Sequence, residues 1–200
     1  MAEPRRPYYV WFSHDAMPQH IDHSRSQPGP MGGTANRAGY TSVTSRARMT
    51  IAWSDEPVAT GGLIPFYARS VNVYFRLTDF LVAISADFAA RSCAYRVTRA
   101  HELSAHISDP IRIFHSYRDV LIRRLNAIVV PTQEAPLRLT SRAEAEARQE
   151  ALGNLISNAI VQTRTELTRA LRRARDEHDS ADAYRLVYSQ CSDAQWINGR

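Results

Sequence analysis

The residues of this chain that are best suited to catalysis form one short run, His101-Glu102-Leu103-Ser104-Ala105-His106. Two neutral imidazoles can hold a zinc ion, the ion lowers the pKa of its bound water to about 7, and a neighbouring carboxylate can accept the released proton. The run therefore predicts a hydrolytic zinc site in which His101 and His106 are metal ligands and Glu102 is the general base.

The spacing of the two histidines places a condition on the backbone. Residues four apart share one face of an α-helix, but residues five apart point about 140° away from each other, because the helix has 3.6 residues per turn. Both imidazoles reach one ion only if the helix absorbs an extra residue, for example in a π-bulge. A metal site predicts that the ring nitrogens of His101 and His106 lie within about 4 Å of a common point. A regular helix predicts that they diverge.

The same residues resemble two groups of metallopeptidases. The run from His101 to His106 is similar to the HExxxH helix of the dipeptidyl peptidase III family, in which the histidines bind zinc, the glutamate is the general base and a later glutamate is the third ligand. Residues 92–102 look like the stretch before HExxH in secreted bacterial zinc proteases, where a sheet and a cysteine, here Cys93, precede the motif. In that comparison Ala105 stands where HExxH has its second histidine. The resemblance implies a zinc metallopeptidase acting on a peptide or protein substrate.

A third ligand is expected on the helix that follows. If the two long helices run antiparallel about a turn near residue 134, residues 101–106 lie opposite about residues 162–167, because each helix rises 1.5 Å per residue. Glu166 lies in that stretch and is the first candidate, with a surface ion pair as its alternative role. The other candidate ligands are His115 and Asp109.

A second group of metal-binding residue types lies near the N-terminus. Its spacing matches no common metal geometry and its surroundings are rich in Pro and Gly, so it predicts a surface loop. Its members are His14, Asp15, His20, Asp22 and His23.

The composition of the chain limits the class of protein to which it can belong. The chain has 200 residues, of which 44% are hydrophobic and 22% charged, which is enough to bury a core. No apolar stretch approaches the roughly eighteen residues of a membrane helix, so no membrane partner is expected. The first residues lack the apolar segment of a secretion signal, and this predicts a cytoplasmic location.

The two cysteines, Cys93 and Cys191, leave two alternatives open. A disulfide between them would close a loop of nearly one hundred residues and stabilise the fold by about 4 to 5 kcal/mol in the chain-entropy model. In a reducing cytoplasm both thiols would stay free.

The charge distribution leaves two other hypotheses about function open. The net charge is +5, and all 25 basic residues are arginines, whose planar guanidinium groups suit carboxylates and phosphates. A GC-rich coding bias is the simpler explanation of this preference. Clustered arginines could form a nucleic-acid-binding module, but acidic residues interrupt them and no known nucleic-acid motif is present, so nucleic acid is not favoured. The clustered arginines are Arg164, Arg169, Arg172, Arg173 and Arg175.

The remaining alternative is a non-enzymatic interaction or assembly protein with a protein partner.

The N-terminal half predicts a small antiparallel sheet. Residues 1–39 read as an irregular arm with a Pro- and Gly-rich loop, broken only by a short strand at residues 8–12. Apolar and polar residues alternate with a period of two over the region that follows, and Thr78-Asp79 is the candidate for a tight turn between two strands. The predicted strands are residues 40–53, 71–77 and 80–85.

The C-terminal half has the three-and-four apolar spacing of helices. A capping box at Ser141 and Glu144 opens the second long helix, and Asp109-Pro110 marks either a boundary or a kink in the first. We therefore predict an α+β fold in which residues 40–200 form one domain, with its sheet at 40–90 and its helical part at 94–192. The helical part is a hairpin followed by a short C-terminal helix, and its predicted helices are residues 94–108, 110–128, 141–176 and 180–191.

Overall fold

Most of the strands lie in the first half of the chain and most of the helices in the second. The structure, a computed structural model, describes residues 7–16, 39–54, 62–86 and 88–197. Within these ranges a π-helical turn, Ser104–Ser108, joins two of the helices, and the predicted α+β class is confirmed. In chain order the other elements are β1 (Tyr8–His14), β2 (Gly39–Trp53), β3 (Ile64–Phe66), β4 (Ala68–Ile84), α1 (Cys93–Leu103), α2 (Asp109–Asn126), β5 (Leu137–Leu139), α3 (Arg142–His178), α4 (Ala181–Tyr188) and α5 (Asp193–Ile197).

The main sheet has three strands in the order β1-β4-β2, and β3 pairs with β5 in an antiparallel ribbon. Strand β1 runs parallel to β4: the Val71 N–H donates to the carbonyl of Pro7, and the Asp15 N–H donates to that of Leu77. The sheet is therefore mixed, because β1, which lies outside the residues 40–90 predicted to form it, pairs in parallel with β4. Parallel pairing requires a long connection, and the chain supplies one because β2 and β3 lie between the two strands in sequence.

The predicted turn at Thr78-Asp79 is also wrong, because β4 continues through it. Asp79 adopts a φ of 58°, a left-handed conformation that a short polar side chain tolerates. The Thr78 hydroxyl donates to the Asp79 carboxylate at 2.8 Å. Buried positions change from odd to even numbers here, from Val73 and Phe75 to Val82 and Ile84. The break in the pattern thus marks an irregularity like a β-bulge and not a chain reversal.

Side-chain caps define the starts of α1 and α3, and the cap at α3 is the one that the sequence predicts. The Ser92 hydroxyl accepts from the Tyr95 N–H at the start of α1. At α3 the Ser141 hydroxyl accepts from the Glu144 N–H, and the Glu144 carboxylate accepts from the main chain and hydroxyl of Thr140. These bonds satisfy amide groups that have no partner inside the helix.

The chain divides into two compact units. The first comprises residues 1–13, 46–76 and 115–167, and its buried side chains include Phe66, Phe75, Leu121 and Ile156. The second comprises residues 14–45, 77–114 and 168–200, and its buried side chains include Leu77, Ile84, Ile107 and Phe114. The single domain expected over residues 40–200 stays a prediction.

The second unit contains a disulfide between Cys93 and Cys191, which resolves the question that the sequence left open. None of the helices in the described ranges combines the length and the apolar character needed to cross a bilayer.

Candidate metal centre

The π-helical turn Ser104–Ser108 brings the two histidines together. Its hydrogen bonds reach five residues back, as in the bond from the Asp109 N–H to the carbonyl of Ser104. The turn holds one residue more than an α-helical turn, so His106 faces the same side as His101. The Nε2 atoms of the two rings lie 3.3 Å apart, and the divergence expected of a regular helix is not found.

Asp179, just after α3, completes a group of three potential metal ligands with His101 and His106. Its Oδ1 atom lies 3.2 Å from Nε2 of His106, and the three ligand atoms all lie within 4.8 Å of one another. In a tetrahedral zinc site with bonds of about 2.1 Å, ligand atoms are about 3.4 Å apart. Two of the separations therefore already match a tetrahedral site.

The carboxylate of Asp179 is held by further hydrogen bonds. The Tyr184 hydroxyl donates to Oδ1 at 3.2 Å, and Nε of Arg175 lies 3.4 Å from Oδ2. Burial opposes ionisation of Asp179, but the hydrogen bond and charge of His106, together with the hydrogen bonds from Tyr184 and Arg175, outweigh it and lower the pKa to about 2. Asp179 is thus an oriented anion at neutral pH.

The surroundings of His101 favour the neutral form of its ring. Burial and then the neighbouring charge of His106 lower the pKa of His101, so its ring is neutral and offers a lone pair at neutral pH. The Tyr184 ring lies against it, with centroids 5.3 Å apart. Burial and then the charge of Asp179 raise the pKa of Tyr184, which keeps its hydroxyl protonated and able to donate.

Glu102, the predicted general base, is enclosed by the start of β2. Only 2% of the residue is exposed, and its Oε2 atom accepts a hydrogen bond of 2.6 Å from the Thr41 hydroxyl. A Cβ atom placed on Gly39 would lie 2.5 Å from the other carboxylate oxygen. A glycine at position 39 is therefore what lets the β2 backbone approach this carboxylate.

The other predicted ligands lie outside the group of His101, His106 and Asp179. Glu166 forms an ion pair with Arg124 at 2.6 Å, and its main-chain carbonyl accepts from Tyr117. His115 is exposed on α2.

Asp109, the remaining candidate, binds a different histidine. Its Oδ2 atom lies 2.9 Å from Nε2 of His178, and its Oδ1 atom accepts from Arg112. The His178 ring in turn lies 6.1 Å from that of His106, measured between centroids. Asp109 and His178 thus form a pair that flanks the three candidate ligands.

The helical register explains why Asp179 and not Glu166 lies beside the histidines. Asp109 contacts His178, whereas a tight turn near residue 134 would place it opposite about residue 159. The connection between α2 and α3 is longer than a tight turn and contains β5. The first turns of α3 therefore extend past the end of α2 and pack on that connection, where Leu152 and Leu155 line a groove with Val130. The residues near Asp179 in the sequence give no sign that α3 extends past the end of α2.

The N-terminal histidine group falls mostly outside the described residues, which include neither His20, Asp22 nor His23. His14, at the end of β1, is exposed, and its Nδ1 atom lies 2.8 Å from the carbonyl of Asp15.

A cavity of about 250 Å³ opens beside His106. Strand β2 contributes Thr41, Ser42 and Ser45 to its lining, and α3 contributes Arg172 and Arg175. The candidate ligand His106 therefore faces a space that a small molecule can enter.

No protein-family model, curated protein or solved structure matches this chain.

Proposed function

We propose that this chain is a zinc-dependent hydrolase and that its substrates are peptides. The observation that supports the proposal most strongly is the convergence of His101 and His106 through a π-helical turn, with the Asp179 carboxylate beside them. Backbone irregularities of this kind concentrate at functional sites. In the proposed site Asp179 takes the place that the sequence suggested for Glu166.

The number of ligands favours catalysis over a structural role for the metal. Structural zinc sites are closed by four protein ligands, whereas catalytic sites use three and leave the fourth position to water or substrate. The described residues offer three ligands, and a cavity adjoins His106. A zinc ion held there would lower the pKa of its bound water to about 7.

Glu102 is the proposed general base. It directly follows His101 in α1, and the Thr41 hydroxyl fixes the position of one of its carboxylate oxygens. Fixed carboxylates of this kind accept a proton without a cost of reorientation at the moment of reaction. The Tyr184 hydroxyl has a positioning role, since it holds the Asp179 carboxylate.

The disulfide bears on where the protein works. Disulfides persist in oxidising compartments and are rare in the cytosol. The bond between Cys93 and Cys191 therefore favours an oxidising compartment over the cytoplasmic location predicted from the sequence.

The proposal is tested by the metal content of the purified protein after dialysis against zinc-free buffer. We expect close to one zinc per chain in the wild type, and loss of the metal in His101→Ala and Asp179→Asn. The matched control is His115→Ala, which removes an exposed histidine outside the group and should retain the metal. Glu102→Gln should also retain zinc and should abolish peptide hydrolysis. A folded wild-type protein that binds no zinc overturns the proposal.

A further inference from the structure

We propose that the cavity beside His106 binds a carboxylate of the substrate through Arg172, so that the enzyme acts on short peptides with an acidic group near the scissile bond. The inference rests on the proposed function and assigns its substrate class. The cavity and the candidate ligand His106 belong to the same compact unit, so the binding groups and the metal ligands form one site.

The lining of the cavity selects for a negative charge. Strand β2 supplies the hydroxyl groups of Ser42 and Ser45, whereas the Thr41 hydroxyl already donates to Glu102. Helix α3 supplies two guanidinium groups, and the described residues that line the cavity include no carboxylate. Arginine and hydroxyl groups together are the donors that recognise carboxylates. The polar lining residues are Thr41, Ser42, Ser45, Thr168, Arg172 and Arg175.

The two arginines have different roles. Nε of Arg175 already lies 3.4 Å from the Asp179 carboxylate, so part of its charge is neutralised within the site. Arg172 forms no ion pair with any carboxylate in the described part of the chain, and it is exposed to solvent. Arg172 therefore supplies the charge that a substrate carboxylate would neutralise, and its planar fork allows two parallel hydrogen bonds.

The size and apolar walls of the cavity limit the rest of the substrate. A volume of about 250 Å³ lies below the range of roughly 300 to 1,000 Å³ typical of ligand pockets. It suits one amino-acid residue better than an extended peptide. Leu77, Pro110 and Leu171 line the cavity as well, so that residue is expected to be apolar. The carboxylate comes either from the C-terminus of the peptide or from an acidic side chain next to it.

The experiment measures binding by calorimetry to the zinc-loaded protein. The probes are N-acetyl-phenylalanine, its carboxamide, and N-acetyl-aspartate α-amide, whose only carboxylate is in the side chain. We expect at least one of the two carboxylate probes to bind about tenfold or more tightly than the carboxamide, as a charge-assisted pair allows. Tighter binding of the first assigns the carboxylate to a C-terminus, and tighter binding of the aspartate amide assigns it to a side chain.

A matched pair of variants locates the effect. Arg172→Gln should remove the preference for a carboxylate, whereas Arg173→Gln, the exposed neighbour that does not line the cavity, should keep it. Equal binding of the three probes overturns the inference. So does a preference that survives in Arg172→Gln, because the carboxylate would then bind the metal itself, and so does tighter binding of inorganic phosphate.

Metal content measured on the same samples separates this inference from the proposed function. A protein that holds zinc but shows no carboxylate preference contradicts only the inference about the substrate. A protein that holds no zinc contradicts the proposed function, while the same titrations on the metal-free chain still show whether Arg172 binds a carboxylate.

Discussion

The Nε2 atoms of His101 and His106 lie 3.3 Å apart, although the two residues are five positions apart in the chain. A single π-helical turn accounts for this proximity, because it takes up one residue and brings the rings to the same side. The proposed metal site thus depends on backbone geometry as much as on residue type.

Deletion of Ser104 should convert the π-helical turn into regular α-helix. Ser104 is the exposed residue at the start of the turn, and without it the histidines would be four apart and share a face. We expect zinc binding to be retained and the melting temperature to be no lower than that of the wild type. Metal content and thermal unfolding check this, and a well-folded deletion variant that has lost zinc would contradict it.

Tyr184→Phe should weaken metal binding. Its hydroxyl donates to Oδ1 of Asp179, and loss of such an outer hydrogen bond typically lowers metal affinity by about tenfold or more. The measurement is competition for zinc with a chelator of known affinity. The control is Tyr188→Phe, since Tyr188 stacks on Tyr184 but does not bond to Asp179. Equal zinc affinities in the two variants would show that the Tyr184 hydroxyl does not support metal binding.

Gly39→Ala should destabilise the protein. The added Cβ would lie 2.5 Å from Oε1 of Glu102, which is buried and held by Thr41 and so cannot easily turn away. Disturbing a buried hydrogen bond of this kind costs about 1 to 3 kcal/mol. The free energy of unfolding in urea measures the effect. Gly153→Ala is the control, because nothing lies within 4 Å of its added Cβ and alanine favours a helix by about 1 kcal/mol over glycine.

Reduction of the disulfide should lower the stability of the fold substantially. The bond between Cys93 and Cys191 spans 98 residues, and removal of a native disulfide typically costs about 2 to 5 kcal/mol. Urea unfolding with and without reductant gives the difference. Cys191→Ser should behave like the reduced wild type and should not respond to reductant, and a wild type insensitive to reductant would contradict the prediction.

The stability of the start of α3 should depend on pH through Glu144. Hydrogen bonds from the main chain and hydroxyl of Thr140 lower the pKa of Glu144. The folded state therefore gains stability from this carboxylate above its unfolded pKa, and the gain is lost as the pH falls through the lower folded pKa. Glu144→Gln should be less stable than the wild type at pH 7, and the difference should shrink in acid. A difference that is constant with pH would argue against this cap.

The sequence predicts most accurately the features that depend on nearby residues. The cap at Ser141 and the α+β class are confirmed, because capping and hydrophobic periodicity act over a few residues. The parallel pairing of β1 with β4 was not predictable in this way, since it depends on the path of the chain between them. The break at Thr78-Asp79 was located correctly but interpreted as a turn, because turns and bulges share residue preferences.

In the candidate site, too, the features that depend on nearby residues were predictable and those that depend on distant ones were not. The spacing of His101 and His106 implied the π-bulge as a condition for a metal site, and that condition concerns one turn of backbone. The position of Asp179 depends on how far α3 extends past α2, and the length of the connection that contains β5 determines this. A symmetrical hairpin therefore pointed to Glu166, which instead pairs with Arg124.

The disulfide also makes a closed covalent ring of residues 93–191. The ring includes the whole of α2, β5 and α3. A protease that cuts the chain once between α2 and α3 would therefore leave two pieces that stay attached to each other. Such a cut protein would run as one band in a denaturing gel without reductant and as two bands with it.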